Sequence, residues 1–598
     1  MAKQGDYTFN NIYQGGYSTL DPNKAYSNNF TGYRTDPAKL GVTTNPQTAN
    51  VIGDVSSKLS SGLKQIELTL INPKMIELVS DQQLQEIKRL SDLTGVGTTI
   101  HGPVIDTVGI NQQGYDELNR KHSEDIIIKT LEKSYLVNPK GNTNVTFHTT
   151  EGIPGSEWKT LGGPGKEREA NRLIAVDRES GRSTLLKPEV KYYPGGKVEG
   201  KPRKVEYSAE ENLESANQSQ WDDKITQLFF NKERADEILQ QNALPIQHLL
   251  QDINEGKINP RTDLQGTQKE VWMKFQDAHN YLQEVNRTAN SLFAKAWEYG
   301  TEEQKQMLIG INEGYKKELN ESKGDIIKQS QAMHQLLSDL QNPAIAPEMF
   351  VSMEKFATEK SAQTFGNAAF AAYKKFKDNT PIISIENPPI GHALATGEDL
   401  RNVIESSRKV FIDRMIKENH VSEKEARQIA EKLIGATWDV GHINILRKQG
   451  FGKEEIIKET EKIKPYLKHV HLSDNFGLDH TELPMGMGNV PFKEIMDKLG
   501  KEGFEAKKII EAGDWWQQQM NPIMESLEGL GTPIYANGKT PYWNQSLGFY
   551  QGYQSGLEGA WLPGNNYQTF GTYFSQLPTE LGGSVQSSGS RMSGRGME

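Results

Sequence analysis

Short apolar runs alternate with amphipathic helical stretches along most of the chain. The eight runs with β-type composition are Leu40–Thr44, Lys64–Leu70, Val96–His101, Asn144–His148, Pro381–Glu386, Gly435–Asp439, Leu467–His471 and Lys508–Glu511. Helical periodicity lies between most of them, for example over Asp81–Leu93 and Glu398–Val410. Strand–helix alternation repeated eight times predicts an α/β fold, a closed parallel (β/α)8 barrel of the TIM type.

One connection interrupts this alternation. More than two hundred residues separate His148 from Pro381, far more than an ordinary connection between a strand and a helix contains. We therefore predict a large, mainly helical insertion over residues 151–380, with the barrel divided into segments 39–150 and 381–535. Because TIM barrels accept insertions at their catalytic end, we expect this subdomain to stand over or beside the active site.

The insertion has two parts of different character. Over residues 160–207 basic side chains outnumber acidic ones, and Arg172–Leu186 contains a Glu-Ser-Gly-Arg segment that predicts a hairpin turn. The second part predicts long polar helices, such as Thr267–Tyr299 and Glu302–Leu340. A basic hairpin followed by helices suits a region that handles an anionic substrate.

The two ends of the chain differ from the rest. Residues 1–38 are rich in Tyr, Asn, Gly and Ser, and residues 536–598 are rich in Gly, Tyr and Gln. Both compositions predict irregular arms instead of packed helices. The arms and the insertion are also the segments through which we expect any homo-oligomer to form.

Composition limits the chemistry and the compartment. The net charge of −10 argues against a protein that coats nucleic acid along its whole surface, although it allows a local basic groove. The 598 residues include no cysteine, so any metal must be held by His, Asp and Glu. No stretch approaches the roughly 20 apolar residues of a membrane span, and no apolar run resembles a signal peptide. We expect a cytoplasmic protein without a membrane partner.

Histidines and carboxylates are concentrated at the predicted strand ends. Six of the twelve histidines lie in or just after these ends, namely His101, His148, His442, His469, His471 and His480. Side chains at the last positions of eight barrel strands converge on one small volume. Carboxylates crowded there would repel one another unless a cation lay among them. Imidazole with carboxylate suits zinc, manganese, iron or cobalt. We expect His469 to face the surrounding helices, outside this site.

The order of these strand-end sequences resembles the xylose-isomerase-like TIM barrel superfamily, which includes sugar isomerases, sugar epimerases and the endonuclease IV class of nucleases. The matching segments are Gly62-Leu-Lys-Gln-Ile-Glu-Leu, His101-Gly-Pro, Phe147-His148, Glu386-Asn, Asp439-Val-Gly-His442, His471-Leu-Ser-Asp474, Leu483-Pro-Met-Gly-Met-Gly-Asn-Val and Glu511. The resemblance covers residues 40–150 and 380–535 but neither the arms nor the insertion.

The resemblance implies a set of metal ligands. Glu386, Asp439, His471 and Glu511 match the ligands shared across the superfamily. His101 and His148 match residues that bind a further zinc in the endonuclease IV class, with Glu386 bridging. His442 matches a ligand of the third zinc of that class. No residues are expected to bind an organic cofactor.

The third zinc site departs from the family pattern. That class has an Asp-x-His pair before the glycine turn, whereas this chain has His480-Thr-Glu482. The two ligand types are exchanged, and both suit zinc. Asp479 would substitute if the register shifted by one residue.

Three functions are compatible with these residues. The first is a zinc phosphodiesterase of the endonuclease IV type that acts on nucleic acid, supported by His101, His148 and His442 together. The second is a sugar isomerase or epimerase with one manganese or cobalt ion, in which Glu386 and Glu511 are the catalytic acid and base for a small sugar. The third is a non-catalytic assembly or scaffold protein, built from the arms and the insertion.

Overall fold

A computed structural model of the chain describes residues 31–511, apart from positions 32, 34, 36–38, 47, 49, 60–62, 112, 163–167, 195–201 and 323–324, together with residues 526, 527, 529 and 530. The predicted arms at 1–38 and 536–598 lie outside the described residues, except for residues 31, 33 and 35. None of the helices within the described ranges combines the length and apolar character needed to cross a membrane.

The described residues form sixteen strands. They are β1 Leu40–Thr43, β2 Gln65–Thr69, β3 Gly97–His101, β4 Ile110–Asn111, β5 Gly114–Tyr115, β6 Asn144–His148, β7 Glu157–Thr160, β8 Glu169–Asp177, β9 Ser183–Leu186, β10 Glu189–Tyr193, β11 Arg203–Tyr207, β12 Phe350–Ser352, β13 Ile382–Glu386, β14 Ile434–Asp439, β15 Leu467–Leu472 and β16 Lys507–Ile510. Eight of them close a parallel barrel in the order β1-β16-β15-β14-β13-β6-β3-β2. These eight are the predicted strands, so the (β/α)8 prediction is confirmed.

Alternation along the barrel strands separates an apolar outer face from a polar inner face. Outward positions include Ile100, Phe147 and Trp438, which are buried. The inward hydroxyls of neighbouring and next-neighbouring strands are hydrogen-bonded: Thr437 Oγ1 lies 2.9 Å from Thr146 Oγ1 and donates to Ser384 Oγ at 2.8 Å. Part of the barrel interior below the strand ends is therefore filled by hydroxyl side chains that hydrogen-bond to one another.

Fifteen α-helices occur in the described residues. They are α1 Val51–Leu59, α2 Pro73–Leu78, α3 Asp81–Thr94, α4 Glu117–Val137, α5 Ala209–Gln241, α6 Ala243–Asn254, α7 Gly266–Tyr299, α8 Glu302–Ser322, α9 Ile326–Leu340, α10 Met353–Phe376, α11 Gly397–Asn419, α12 Glu423–Leu433, α13 Val440–Asn444, α14 Lys453–Ile463 and α15 Phe492–Glu505. Capping residues determine several starts: Ser80 with Gln83 begins α3, and Thr396 with Asp399 begins α11.

The described chain divides into two compact units. The first holds the barrel and comprises the described residues up to Ile174, Ser180–Arg182 and those from Met353 onward; the second comprises Ala175–Glu179 and Ser183–Ser352. Helix α10, with buried residues on most of its turns, belongs to the barrel unit although it lies within the predicted insertion.

The second unit has its own apolar cores. One core joins α5, α7 and α9 through residues such as Trp221, Leu292 and Leu337. A second core joins α5, α6 and α7 around Leu239, Ile246 and Leu282. The predicted hairpin corresponds to β8 and β9, which pair, and the long polar helices correspond to α7, α8 and α9.

Candidate metal centre

Glu386, the last residue of β13, lies at the centre of the strand-end residues. Its side chain is completely buried, and its two oxygens face different partners. Oε1 lies 2.8 Å from His471 Nδ1, whereas Oε2 lies 3.2 Å from His148 Nε2 and 3.4 Å from His101 Nε2. A single carboxylate is therefore shared by two donor groups.

The first donor group contains Glu386, Asp439, His471 and Glu511, whose donor atoms all lie within 4.8 Å of one another. The group brings together the ends of β13, β14 and β15 and the residue that follows β16. His471 Nδ1 lies 3.3 Å from Glu511 Oε2. Asp439 Oδ1 accepts hydrogen bonds from the His442 N–H at 2.7 Å and from Ser473 Oγ at 3.2 Å.

The second donor group contains His101, His148 and Glu386. Gly102 makes the close packing next to His101 possible, because a Cβ at this position would lie 2.3 Å from the Phe147 ring. Phe147 fills that space with its side chain on the outer face and places His148 on the inner face. The His101-Gly-Pro and Phe147-His148 segments therefore depend on each other sterically.

The third donor group contains His442, His480 and Glu482. His480 Nε2 lies 2.8 Å from His442 Nε2 and 3.0 Å from Glu482 Oε1. Asp474 and Leu483 exchange two backbone hydrogen bonds, which fix the loop that carries these residues. Glu482 has a left-handed φ of 44°, a conformation that costs on the order of 1–3 kcal/mol in a residue other than glycine. The side chains of His480 and Glu482 are 34% and 27% exposed, so this group is the one that solvent reaches most readily.

Hydrogen bonds to backbone carbonyls orient two of the imidazoles. His442 donates its Nδ1–H to the carbonyl oxygen of Asn387 at 2.7 Å, and His101 donates its Nδ1–H to that of Gly102 at 2.9 Å. A carbonyl oxygen can only accept, so Nδ1 carries a proton in both rings and Nε2 is the nitrogen that faces the donor group. Second-layer hydrogen bonds of this kind accompany metal-binding histidines.

The charges of the centre are poorly balanced without a cation. Burial, with the charges of Glu386 and Glu511, raises the pKa of Asp439 well above its ordinary value. Burial opposes protonation of His101, but the neighbouring Glu386 raises the pKa of its imidazole to about 9. Glu386 Oε2 is buried between the imidazoles of His148 and His101, at 3.2 Å and 3.4 Å. Crowded carboxylates and the imidazole nitrogens that converge on them fit a divalent metal.

All nine residues named as ligands from the sequence fall in these three groups: His101, His148, Glu386, Asp439, His442, His471, His480, Glu482 and Glu511. The structure places Glu482, and not Asp479, in the third group; the carboxylate of Asp479 accepts the His480 N–H at 2.9 Å.

The expectation for His469 is wrong. Its imidazole lies inside the barrel, completely buried, with Nε2 3.1 Å from Glu67 Oε2. Positions 469 and 471 are two residues apart on β15, so they share the inner face of the strand. A further group within 4.8 Å contains Glu67, His469 and His471.

Three supporting residues were missed in the sequence. Asn387 accepts the Asp439 N–H at 2.9 Å and donates to the Asp439 carbonyl at 3.1 Å. Ser473 donates to Asp439, as described above. Glu67 was overlooked although a charged residue between Ile66 and Leu68 in a barrel strand is a signal for an inward-facing functional side chain.

Part of this chain is similar to known proteins. Residues 395–530 match the model of the xylose isomerase-like TIM barrel family. An uncharacterized protein of Methanocaldococcus jannaschii is 33% identical over 85 residues, which are 14% of this chain and 28% of that protein. The match thus spans little more than a quarter of that curated relative.

Solved structures show weaker similarity. A D-tagatose 3-epimerase-like protein aligns with a TM-score of 0.36 and 12% identity, over 84% of this chain and 99% of that chain. A D-psicose 3-epimerase from Clostridium cellulolyticum H10, determined with D-tagatose, aligns with a TM-score of 0.34 and 9% identity, over 79% and 84%. The family model covers β14, β15 and β16 and confirms the resemblance for the segments from Asp439 onward: this part of the chain matches a xylose isomerase-like TIM barrel domain.

Proposed function

We propose that this chain is a zinc-dependent phosphodiesterase of the endonuclease IV type that acts on nucleic acid. The observation that carries the proposal is the buried carboxylate of Glu386, which presents one oxygen to each of two donor groups. A third group lies alongside, since His442 follows Asp439 by three residues and donates its N–H to that carboxylate. Three adjoining groups suit a trinuclear centre better than a single-metal site.

Some residues of the centre would bind metal, and others would orient the metal-binding side chains. His101 and His148 with Glu386, the four residues around Asp439, and His442 with His480 and Glu482 would each hold one ion. The metals would supply Lewis acidity and charge neutralisation toward a phosphate group. Asn387, Ser473 and the carbonyl of Gly102 orient Asp439 and His101, so that the donor atoms do not have to be reorganised when substrate binds.

The third group is where this proposal differs most from a sugar enzyme. The four-donor group around Asp439 would be sufficient for a single metal. The strained backbone of Glu482 brings a carboxylate to the solvent-facing side of the centre, next to His480. Strain of this kind persists where the surroundings enforce it, and it is common at functional sites.

An exposed ribbon in the second unit offers contacts to a phosphate backbone. Strands β10 and β11 pair in antiparallel register, with Tyr193 opposite Arg203 and Lys191 opposite Val205. One face therefore combines Lys191, Tyr193, Arg203 and Tyr207 with Val205 and with Glu189, which forms an ion pair with Lys191 at 3.5 Å, and every residue of β10 is exposed. Two-stranded ribbons enter nucleic-acid grooves, and tyrosines with cationic side chains suit stacking and phosphate contacts.

A second candidate is a metal-dependent sugar isomerase or epimerase. It is supported by the four-donor group, in which Glu386 and Glu511 would bind one manganese or cobalt ion and also transfer the proton as acid and base. On this alternative the His442–His480–Glu482 group would contact sugar hydroxyls and would hold no metal.

The experiment that decides between them uses the full chain purified without chelator. Metal content is measured by mass spectrometry, a duplex with one abasic site is tested for strand cleavage, and ketohexoses are tested for epimerisation. We expect three zinc ions per chain and chelator-sensitive cleavage of the duplex. One manganese or cobalt ion with sugar turnover would favour the second candidate, and absence of metal would reject both.

A further inference from the structure

Glu67 lies on the inner face of β2, one layer below the metal centre, and is completely buried. Both of its oxygens are engaged. Oε2 accepts hydrogen bonds from Thr99 Oγ1 at 2.8 Å and from His469 Nε2 at 3.1 Å. Oε1 is in ion-pair contact with His471 Nε2 at 2.8 Å. A buried carboxylate is costly unless its partners compensate it, so this arrangement requires an explanation.

The contact with Glu67 determines which nitrogen of the His471 ring faces the metal-binding group. Glu67 Oε1 and His471 Nε2 are both buried, lie 2.8 Å apart and have no other hydrogen-bond partner among the described residues. The opposite ring nitrogen, Nδ1, faces Glu386 and Glu511 at 2.8 Å and 3.3 Å. A ring whose Nε2–H is directed at a carboxylate presents the lone pair of Nδ1 at its other end.

We propose that Glu67 is a positioning residue for the metal ion of the Glu386–Asp439–His471–Glu511 group. It holds His471 in the tautomer and orientation that direct Nδ1 into that group. Thr99 and His469 fix the carboxylate from the other side. Carboxylates that accept from the distal nitrogen of a metal-binding histidine raise its basicity as a ligand and restrict its rotation.

One alternative uses the same residues. Glu67, His469 and His471 have donor atoms within 4.8 Å of one another, so they could themselves hold an ion. In that case Nε2 and Nδ1 of His471 would face different metals, and the chain would bind one ion more than the three donor groups described above.

The inference rests on the proposed metal binding, and its test is Glu67→Gln, which keeps the shape of the side chain and removes the charge. Zinc-loaded protein is dialysed against a series of chelator concentrations, and the zinc retained per chain is measured. We expect one of three ions to be lost at about 10- to 100-fold lower chelator concentration. The matched control is Glu459→Gln, a buried glutamate on α14 that accepts from Lys462 Nζ at 2.7 Å and the Glu398 N–H at 3.0 Å; it should behave as the unsubstituted chain.

A second measurement separates positioning from general destabilisation. In cobalt-loaded protein, the exchangeable Nε2–H of His471 should give a shifted proton resonance that is lost or displaced in Glu67→Gln and retained in Glu459→Gln. If Glu67→Gln does not fold, Thr99→Val, which removes one hydrogen bond to the carboxylate, should still lower the affinity for that ion several-fold.

The outcomes are distinct. Unchanged zinc retention in folded Glu67→Gln, or in Thr99→Val if the first variant is unfolded, overturns the inference and leaves the proposed function intact. Four ions in the unsubstituted chain and three in Glu67→Gln identify a metal at Glu67 instead of a positioning contact. No zinc in the unsubstituted chain rejects the proposed function and the inference together.

Discussion

Glu386→Gln should remove two metal ions from the centre with one substitution. The carboxylate presents Oε1 to the group around His471 and Oε2 to the group of His101 and His148. Glutamine has the same shape but no charge, and its amide nitrogen cannot act as a metal ligand in place of an oxygen. Both groups therefore lose a charged donor, while the third group keeps all its own members.

The size of the effect follows from the burial of Glu386. A unit charge about 4 Å from another contributes about 4 kcal/mol at an effective dielectric constant of 20, and more when the partner is divalent. A loss of about 4 kcal/mol corresponds to a weakening of about three orders of magnitude in affinity. The catalysed reaction should fall by at least as much, because each metal contributes to it.

The assay is zinc per chain at fixed free zinc, measured by mass spectrometry, together with cleavage of a duplex that contains an abasic site. We expect three ions for the unsubstituted chain and one for Glu386→Gln. The control is Glu354→Gln, a buried glutamate of the barrel unit that accepts the Ser156 N–H at 2.7 Å and its hydroxyl at 3.0 Å. It should keep all three ions.

Two results would refute this reasoning. If Glu386→Gln retains all ions with unchanged affinity, Glu386 is not a ligand. If only one ion is bound more weakly and the other keeps its full affinity, the carboxylate serves one group, and the argument for a shared centre fails. Loss of folding in Glu386→Gln, detected by circular dichroism, would be distinguished from metal loss by comparing unfolding of both proteins in the metal-free state.

The other predictions concern parts of the same centre and the exposed ribbon. Glu482→Gln should remove one ion, leave two and reduce phosphodiester cleavage by about 100-fold, whereas a sugar epimerase would keep its single ion. Burial lowers the pKa of His480, but the neighbouring Glu482 outweighs burial and raises this pKa to about 9. A metal ion that binds His480 must therefore displace a proton. We expect the zinc affinity of this group to rise from neutral pH to about pH 9, with about one proton released per ion in calorimetry. Gly102→Ala should cost about 1–3 kcal/mol in unfolding by denaturant, because Phe147 must move. Arg203→Ala should weaken the binding of duplex DNA, measured by fluorescence anisotropy. The slope of log affinity against log salt concentration should become shallower by about 1. An unchanged slope would exclude a phosphate contact at Arg203.

The sequence was sufficient for the barrel and for the residues of the three donor groups. Each strand is marked by a short apolar run, and the closing residues of parallel strands must converge at one end of a barrel. The side chains of Glu386, Asp439 and His471 could therefore be predicted to lie together from the sequence. The exchanged order of His480 and Glu482 was also readable, because it follows directly from position relative to the glycine turn.

Only the tertiary structure shows which residues from distant parts of the sequence are in contact inside the barrel. Glu67 and His471 are more than four hundred residues apart, and only closure of the barrel through β1 and β16 brings β2 and β15 within contact distance. The family resemblance already implied that Glu386 bridges two groups, but the distances of its two oxygens from His471 and His148 depend on the rotation of a single carboxylate, which no spacing encodes. The extent of the second unit was equally hidden: α10 has helical periodicity like its predecessors, and only its packing assigns it to the barrel unit. Local patterns determine elements and their order, whereas contacts between distant segments depend on how the elements close on one another.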